Sequence, residues 1–173
     1  MPDQLQQINC RYSPEEDRLI LELSTSGQTA YRLWLTRRFV QLFWQTIQKS
    51  IQGKPEVAQH VEPKTQKAVM EFQEKEALET ADFKTEYKDL DLIYPLGETP
   101  MLPNTITYVP KGDVTSYTFK AQDGKAVTFN LNQQLLYSLS HILMTATEKA
   151  NWSLELKLTD ANLKPPEVST QVH

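Results

Sequence analysis

Tyr31-Arg32-Leu33-Trp34-Leu35-Thr36-Arg37-Arg38 changes its hydrophobic period in mid-course. Up to Leu35 the apolar residues Tyr31, Leu33 and Leu35 take every second place, the period of a half-buried strand. Past Thr36, residues Phe39, Val40, Leu42, Phe43, Trp44, Ile47 and Ile51 recur at three and four spacing, the period of a helix. Thr36 stands at the change, and its hydroxyl suits an N-cap. Gly53 and then Pro55 close the run. The pattern predicts a strand over 29–35 and a helix over 37–52.

Upstream, Arg18-Leu19-Ile20-Leu21-Glu22-Leu23 alternates in the same way and predicts a strand over 18–25. Thr25-Ser26-Gly27-Gln28 between the two strands reads as a hairpin turn. Parity restricts its length. A two-residue loop at Ser26-Gly27 sets Leu21 opposite Arg32, core against surface, whereas a three-residue loop sets apolar against apolar. The expected loop places Gly27 last, in a left-handed conformation, and a register two residues away satisfies the same parity.

The same order recurs later. Tyr117, Phe119 and Ala121 alternate, Gln122-Asp123-Gly124 turns, and Val127, Phe129 and Leu131 alternate again. Asn132 sits where Thr36 sat, and Leu135, Leu136, Leu139, Ile142, Leu143, Ala146 and Ala150 follow at helical spacing. From Leu35 and Leu131 onward the two segments align at an offset of 96, whereas the turn glycines Gly27 and Gly124 are 97 apart. Further strands are expected at Ile8, Cys10 and Tyr12, at Ile106 and Tyr108, and at Trp152, Leu154, Leu156 and Leu158. Between the units, Pro63 is placed to open a helix that runs to Thr80, with Val69, Met70, Phe72, Ala77 and Leu78 as a thin apolar stripe and Glu71 and Lys75 at i,i+4. Leu90-Asp91-Leu92-Ile93-Tyr94 reads as a short strand. The expected fold is therefore α+β: two pseudo-repeats of antiparallel β-sheet followed by a helix, with an acidic, partly helical insert. Repeat one spans 5–53, the insert 54–104 and repeat two 105–159, in a single domain over 1–163 with a flexible tail over 164–173.

Composition sets limits on function. The 173 residues carry a net charge of −4, and the acidity is concentrated in 54–100, where six basic residues meet eleven acidic ones. No stretch approaches the roughly 18 consecutive apolar residues of a membrane span. The polar first residues carry no apolar run, so no secretory signal is expected and a cytoplasmic location is. Cys10 is the single cysteine, which excludes an internal disulfide and a multi-cysteine metal site. Five scattered glycines make no phosphate loop or dinucleotide fingerprint, and no H-E-x-x-H or G-x-S-x-G motif occurs. His60, His141 and His173 stand apart, with no acid, base and nucleophile assembled around any of them. Neither a metal nor a cofactor is expected.

All five arginines lie in the first 38 residues. If Tyr31, Leu33 and Leu35 face the core, Arg32 and Trp34 face away from it, beside Arg18, Ile20 and Glu22 of the neighbouring strand. In the structural reading Trp34 covers Ile20 and stacks with Arg18 while Arg32 pairs with Glu22 or a neighbour, or else the connector or another subunit covers the face. In the functional reading Arg18, Arg32, Trp34, Arg37 and Arg38 form a binding face, with the ring stacking bases and the guanidinium groups holding phosphates of a single strand. Arg37 and Arg38 occupy the first turn of a helix, where positive charge opposes the macrodipole, so an anionic or carboxylate partner is expected close by, at its simplest an acidic residue of the connector.

The Tyr31–Arg38 stretch, the internal connector, Tyr94-Pro95-Leu96-Gly97 and Leu131-Asn132-Gln133-Gln134-Leu135-Leu136 together resemble a family of bacterial proteins that brings no activity with it. In fold, the doubled sheet-then-helix order is similar to the Whirly-type single-stranded-DNA-binding transcriptional regulators. The Lys-Gly-Lys-Ala-Ala-Leu stretch of those proteins has no counterpart here, so the resemblance implies a fold and not a set of binding residues. The expectation is a non-catalytic binding protein that uses its exposed sheet face for a protein partner or for self-association as a homo-oligomer. The alternative is a single-stranded nucleic-acid binder.

Overall fold

The computed structural model describes residues 4–80 and 91–156. Strands β1 (Leu5–Ser13), β2 (Arg18–Thr25) and β3 (Ala30–Leu35) form one antiparallel sheet in that order, followed by helix α1 (Arg37–Gln52). A short helix α2 (Pro55–Ala58) and a long one, α3 (Pro63–Thr80), come next. Strands β4 (Pro103–Lys111), β5 (Val114–Ala121) and β6 (Ala126–Asn132) then form a second three-stranded antiparallel sheet, followed by α4 (Gln133–Lys149). The α+β architecture of two sheet-and-helix units is thus present, and the helix boundary at Thr36 falls where the period changes. The Thr36 hydroxyl accepts from the Phe39 amide at 3.1 Å, and the Asn132 carboxamide oxygen accepts from the Leu135 amide at 2.8 Å.

The repeat is more regular than the turn glycines imply. Leu21 pairs with Leu33 and Leu19 with Leu35, so the first β2–β3 loop is Ser26-Gly27-Gln28. The expected placement of Gly27 as the last loop residue is corrected by one position, and the register by two. Gln28 takes the left-handed conformation (φ 62°), as Gly124 does in the second hairpin (φ 91°). Gln28 and Gly124 are 96 apart, as are Leu35 and Leu131, so the units align without a gap from β2 through the following helix. The edge strands carry the same irregularity: a bulge between Leu5 and Gln7 in β1, and one between Pro103 and Thr105 in β4.

Each helix leans on the sheet of the other unit. Phe39 and Phe43 of α1 meet Phe119 edge-on at 5.0 and 4.9 Å, and Phe43 meets Tyr117 at 5.6 Å. The Ser50 and Tyr117 hydroxyls share a buried hydrogen bond of 2.6 Å. In turn α4 packs against β1, and α1 and α4 touch each other. Leu19, Leu21, Leu23, Leu33 and Leu35 from the first sheet join Tyr117, Phe119, Val127, Phe129 and Leu131 from the second in one core.

The insert is part of this packing. Helix α3 lies on α4, with the Tyr137 hydroxyl donating to the Gln73 carboxamide at 3.0 Å. That contact explains why α4 buries Tyr137 beyond its expected stripe. Of the stripe expected on α3, Met70 and Ala77 are buried, but Phe72 is 69% exposed and Gln73 is buried in its place. Glu71 pairs with Lys67 at 3.9 Å, rather than in the expected pairing with Lys75.

Two expected strands are corrected. In place of a strand at 90–94, Ile93 makes a single parallel bridge to Thr29, and Met101 makes another to Leu33 (Leu90 lies outside the described residues). After α4, Trp152, Leu154 and Leu156 do turn inward, but Asn151, Ser153 and Glu155 are left-handed (φ 55°, 54° and 49°), which a β-strand does not permit. Leu158 and the tail 164–173 lie outside the described residues. No helix among the described residues is long and apolar enough to cross a membrane.

Two substitutions test these points. Phe43→Ala empties a site at the junction of both units and is expected to cost about 3–5 kcal/mol in urea unfolding, whereas Phe72→Ala stays within about 0.5 kcal/mol. Gln28→Gly relieves a left-handed side chain and is expected to stabilise by up to about 1 kcal/mol, with Gly124→Ala moving the midpoint the opposite way.

Candidate binding face

The outer face of the first sheet is built around a buried acid. Glu22 lies on the central strand and is only 5% exposed. It stands between Asn9 of β1 and Arg32 of β3, in one cross-strand row. Asn9 donates to it at 3.0 Å, the Arg32 guanidinium approaches to 3.3 Å, and Arg11 stands at 3.8 Å. Its two carboxylate oxygens are thus met by donors from both neighbouring strands, as a buried acid requires. The ordinary cross-strand pairing of Arg32 is therefore present.

Arg32 is held from above as well. The Tyr94 ring lies 4.7 Å from its guanidinium carbon, and Arg32 donates to the Tyr94 hydroxyl at 3.2 Å and to the Glu98 carbonyl at 3.4 Å. Backbone bonds fix this cover. The Ala30 amide donates to the Ile93 carbonyl at 2.8 Å and the Trp34 amide to the Met101 carbonyl at 2.7 Å, so the connector runs along the free edge of β3. The cover of Arg32 by the insert, one of the two sequence readings, is realised at this residue.

The next row is Arg11, Ile20 and Trp34. Trp34 is half-buried over a buried Ile20, and the Arg11 side chain is 66% exposed at the far end. Arg18 begins β2, is half-buried, and stands 3.9 Å from Glu16. Arg37 and Arg38 are both exposed at the start of α1, which contains no acid in its first turn.

The anion expected near that turn is Asp17, from the β1–β2 turn. Its carboxylate accepts from the Tyr12 hydroxyl at 2.8 Å and from the Trp152 indole at 3.2 Å. Those two bonds, and then the charge of Arg37, hold its pKa below the ordinary carboxylate value. Arg11 could have been found from parity, since it shares the outward phase of Asn9 on β1. Tyr94 and Trp152 carried no local signal, because each reaches its partner across more than 60 residues of chain.

The second repeat builds the same sheet and helix without this chemistry. Val114 replaces Arg18, Thr128 replaces Arg32, Asn130 replaces Trp34, and Gln133 and Gln134 replace Arg37 and Arg38, each 96 residues later. Val109, at the place of Arg11 in the strand pairing, is 54% exposed. That face is hydroxyl-rich, with Thr118 and Thr128 joined at 2.9 Å.

Other features carry less. A cavity of about 650 Å³ between α3, the β4–β5 turn and the start of α4 is lined by Lys54, Glu56, Gln73, Glu76, Gln133 and Gln134 among others. Among the described residues no group of three or more His, Cys, Asp or Glu could hold a metal ion. Cys10 packs against the core, and burial, then the charge of Glu22, pushes its thiol up to about 12. Thiolate is the reactive form. Cys10 is accordingly expected to resist a disulfide-exchange reagent such as DTNB at about pH 8 in the folded protein and to react fully in denaturant; rapid reaction of the native protein would contradict this environment.

No family model, curated protein or solved structure matches the chain.

Proposed function

We propose that this protein is a non-catalytic binding module that engages an acidic partner through the outer face of the first sheet and the adjoining first turn of α1. The observation that supports this reading is the contrast between repeats. One backbone plan occurs twice, so residues present in only one copy are not required by that plan. Arginines and a tryptophan at Arg11, Arg18, Arg32, Trp34, Arg37 and Arg38 are not shared. Arg32 and Glu22 hold the face in shape, and Arg11, Arg18, Arg37 and Arg38 supply the charge a partner meets. An acidic protein surface suits this layout, because the side chains are spread over two strands and a helix start and can be met by carboxylates on several elements.

Single-stranded nucleic acid is the second reading. Half-buried Trp34, in one row with Arg11, favours it. The net charge of −4 and the cover over Arg32 weigh toward the protein partner.

The test uses the residues of the second repeat as replacements. Arg37→Gln/Arg38→Gln places on α1 the pair that begins α4, so the fold is expected to persist. Poly-L-glutamate is expected to bind the wild-type protein in a salt-sensitive way and to bind the variant at least tenfold more weakly. Equal binding by both, or none at low salt, would contradict the assignment of this face. Quenching of tryptophan fluorescence by a labelled oligothymidylate, abolished in Trp34→Ala, would instead establish the nucleic-acid reading.

A further inference from the structure

We propose that the acidic partner of the arginine face is a second copy of this chain, docked through the glutamate face of α3. The inference rests on the binding role above and names its occupant. Two surfaces of opposite sign are displayed on separate elements of one molecule. Helix α1 carries Arg37, Arg38 and Lys49 and contains no acidic residue. Helix α3 carries Glu71, Glu74, Glu76 and Glu79 within three turns, with Lys75 among them. Glu71, Glu74, Lys75, Leu78 and Glu79 line an open concavity of about 420 Å³.

That patch is shallow and open, and it is its chemistry that suits an arginine side chain. Half-buried Leu78 offers an apolar floor for the methylene stem, and Glu74 and Glu79 offer acceptors for the planar guanidinium beside Glu71, which Lys67 already approaches to 3.9 Å. Phe72 follows Glu71 on the helix and is 69% exposed, a large apolar surface left to water beside a charged groove. Desolvation of a phenyl ring and a guanidinium–ring contact are both available to an arginine-bearing neighbour. Burial, the largest influence on Glu74, already raises its pKa, and a cation brought into the groove opposes that shift.

The contact is heterologous, since the face given and the face received are different surfaces of the same chain. Each copy then presents one unused face of each sign, and association continues until a ring closes or a chain extends. A copy that has lost only its basic face and a copy that has lost only its acidic face can still form one junction, and no more.

Sedimentation velocity on the full chain tests this. The wild type is expected to associate at about 0.02 M salt and to dissociate at about 0.5 M. Arg37→Gln/Arg38→Gln and Glu71→Arg/Glu79→Arg are each expected to remain monomeric alone. Their equimolar mixture is expected to form a species of about 40 kDa, twice the 20.0 kDa of one chain, that does not grow with concentration. Phe72→Ser offers an independent lesion of the acidic face should the double charge reversal unfold. A wild type that stays monomeric at low salt, or a mixture that stays monomeric, overturns the second-copy assignment. If poly-L-glutamate still binds in that case, the binding role survives with another acidic partner; if it does not, both fail.

Discussion

The exchange of helices between the two units is the constraint on which the rest depends. Phe39 and Phe43 leave the first unit to pack among Tyr117 and Phe119 of the second, and α4 returns the cover by lying on β1. A sheet with an apolar face must bury that face against another element. Here neither sheet is covered by its own helix alone, so the interior is shared and the halves cannot be separated without exposing aromatic surface. Burial of Tyr117 among these rings, more than its hydrogen bond to Ser50, sets its character: burial pushes its hydroxyl up to about 12. A proton donor so far from titration serves as a fixed strut between units.

That shared interior also explains how the two outer faces came to differ. Inward residues answer to both sheets and both helices at once, so they are largely apolar in each copy, with buried Thr115 at the place of Leu19 the exception. Outward residues answer only to solvent and to whatever docks there. The first sheet has Glu22 under Asn9, Arg11 and Arg32, and the second has Thr118, Thr107, Val109 and Thr128 at the matching places. A buried carboxylate needs donors from both neighbouring strands, and this requirement ties three outward residues of the first sheet into one unit. The second sheet carries no such obligation.

Much of this was legible from local pattern, and the rest was not for identifiable reasons. Parity and period located β2, β3, α1 and their counterparts, because the apolar phase of an element half-facing a core is dictated residue by residue. Thr36 and Asn132 were legible as caps because capping is satisfied within four residues of chain. The left-handed position at Gln28 was missed because Gly27 beside it is the better candidate on intrinsic grounds, and strand register outweighed that preference. The alternation Trp152, Leu154, Leu156 was real as a burial pattern but was produced by left-handed residues between the apolar ones instead of by pleating. At the site, the pairing of Arg32 with Glu22 followed from register, whereas Tyr94 above it and Asp17 beside Arg37 depend on how distant segments come together.

The connector laid along β3 has a role in solubility. Between them, Ile93 and Met101 accept from the Ala30 and Trp34 amides and donate to the Gln28 and Arg32 carbonyls. An outer strand with such groups unmet is a template on which foreign chains can zip, and sheets of this size guard against it by short strands, charges or a covering segment. Here the guard belongs to the same chain. Proteolytic nicking or shortening of this segment would therefore convert a quiet border into a nucleation line for fibrous deposits, even with both helices still seated.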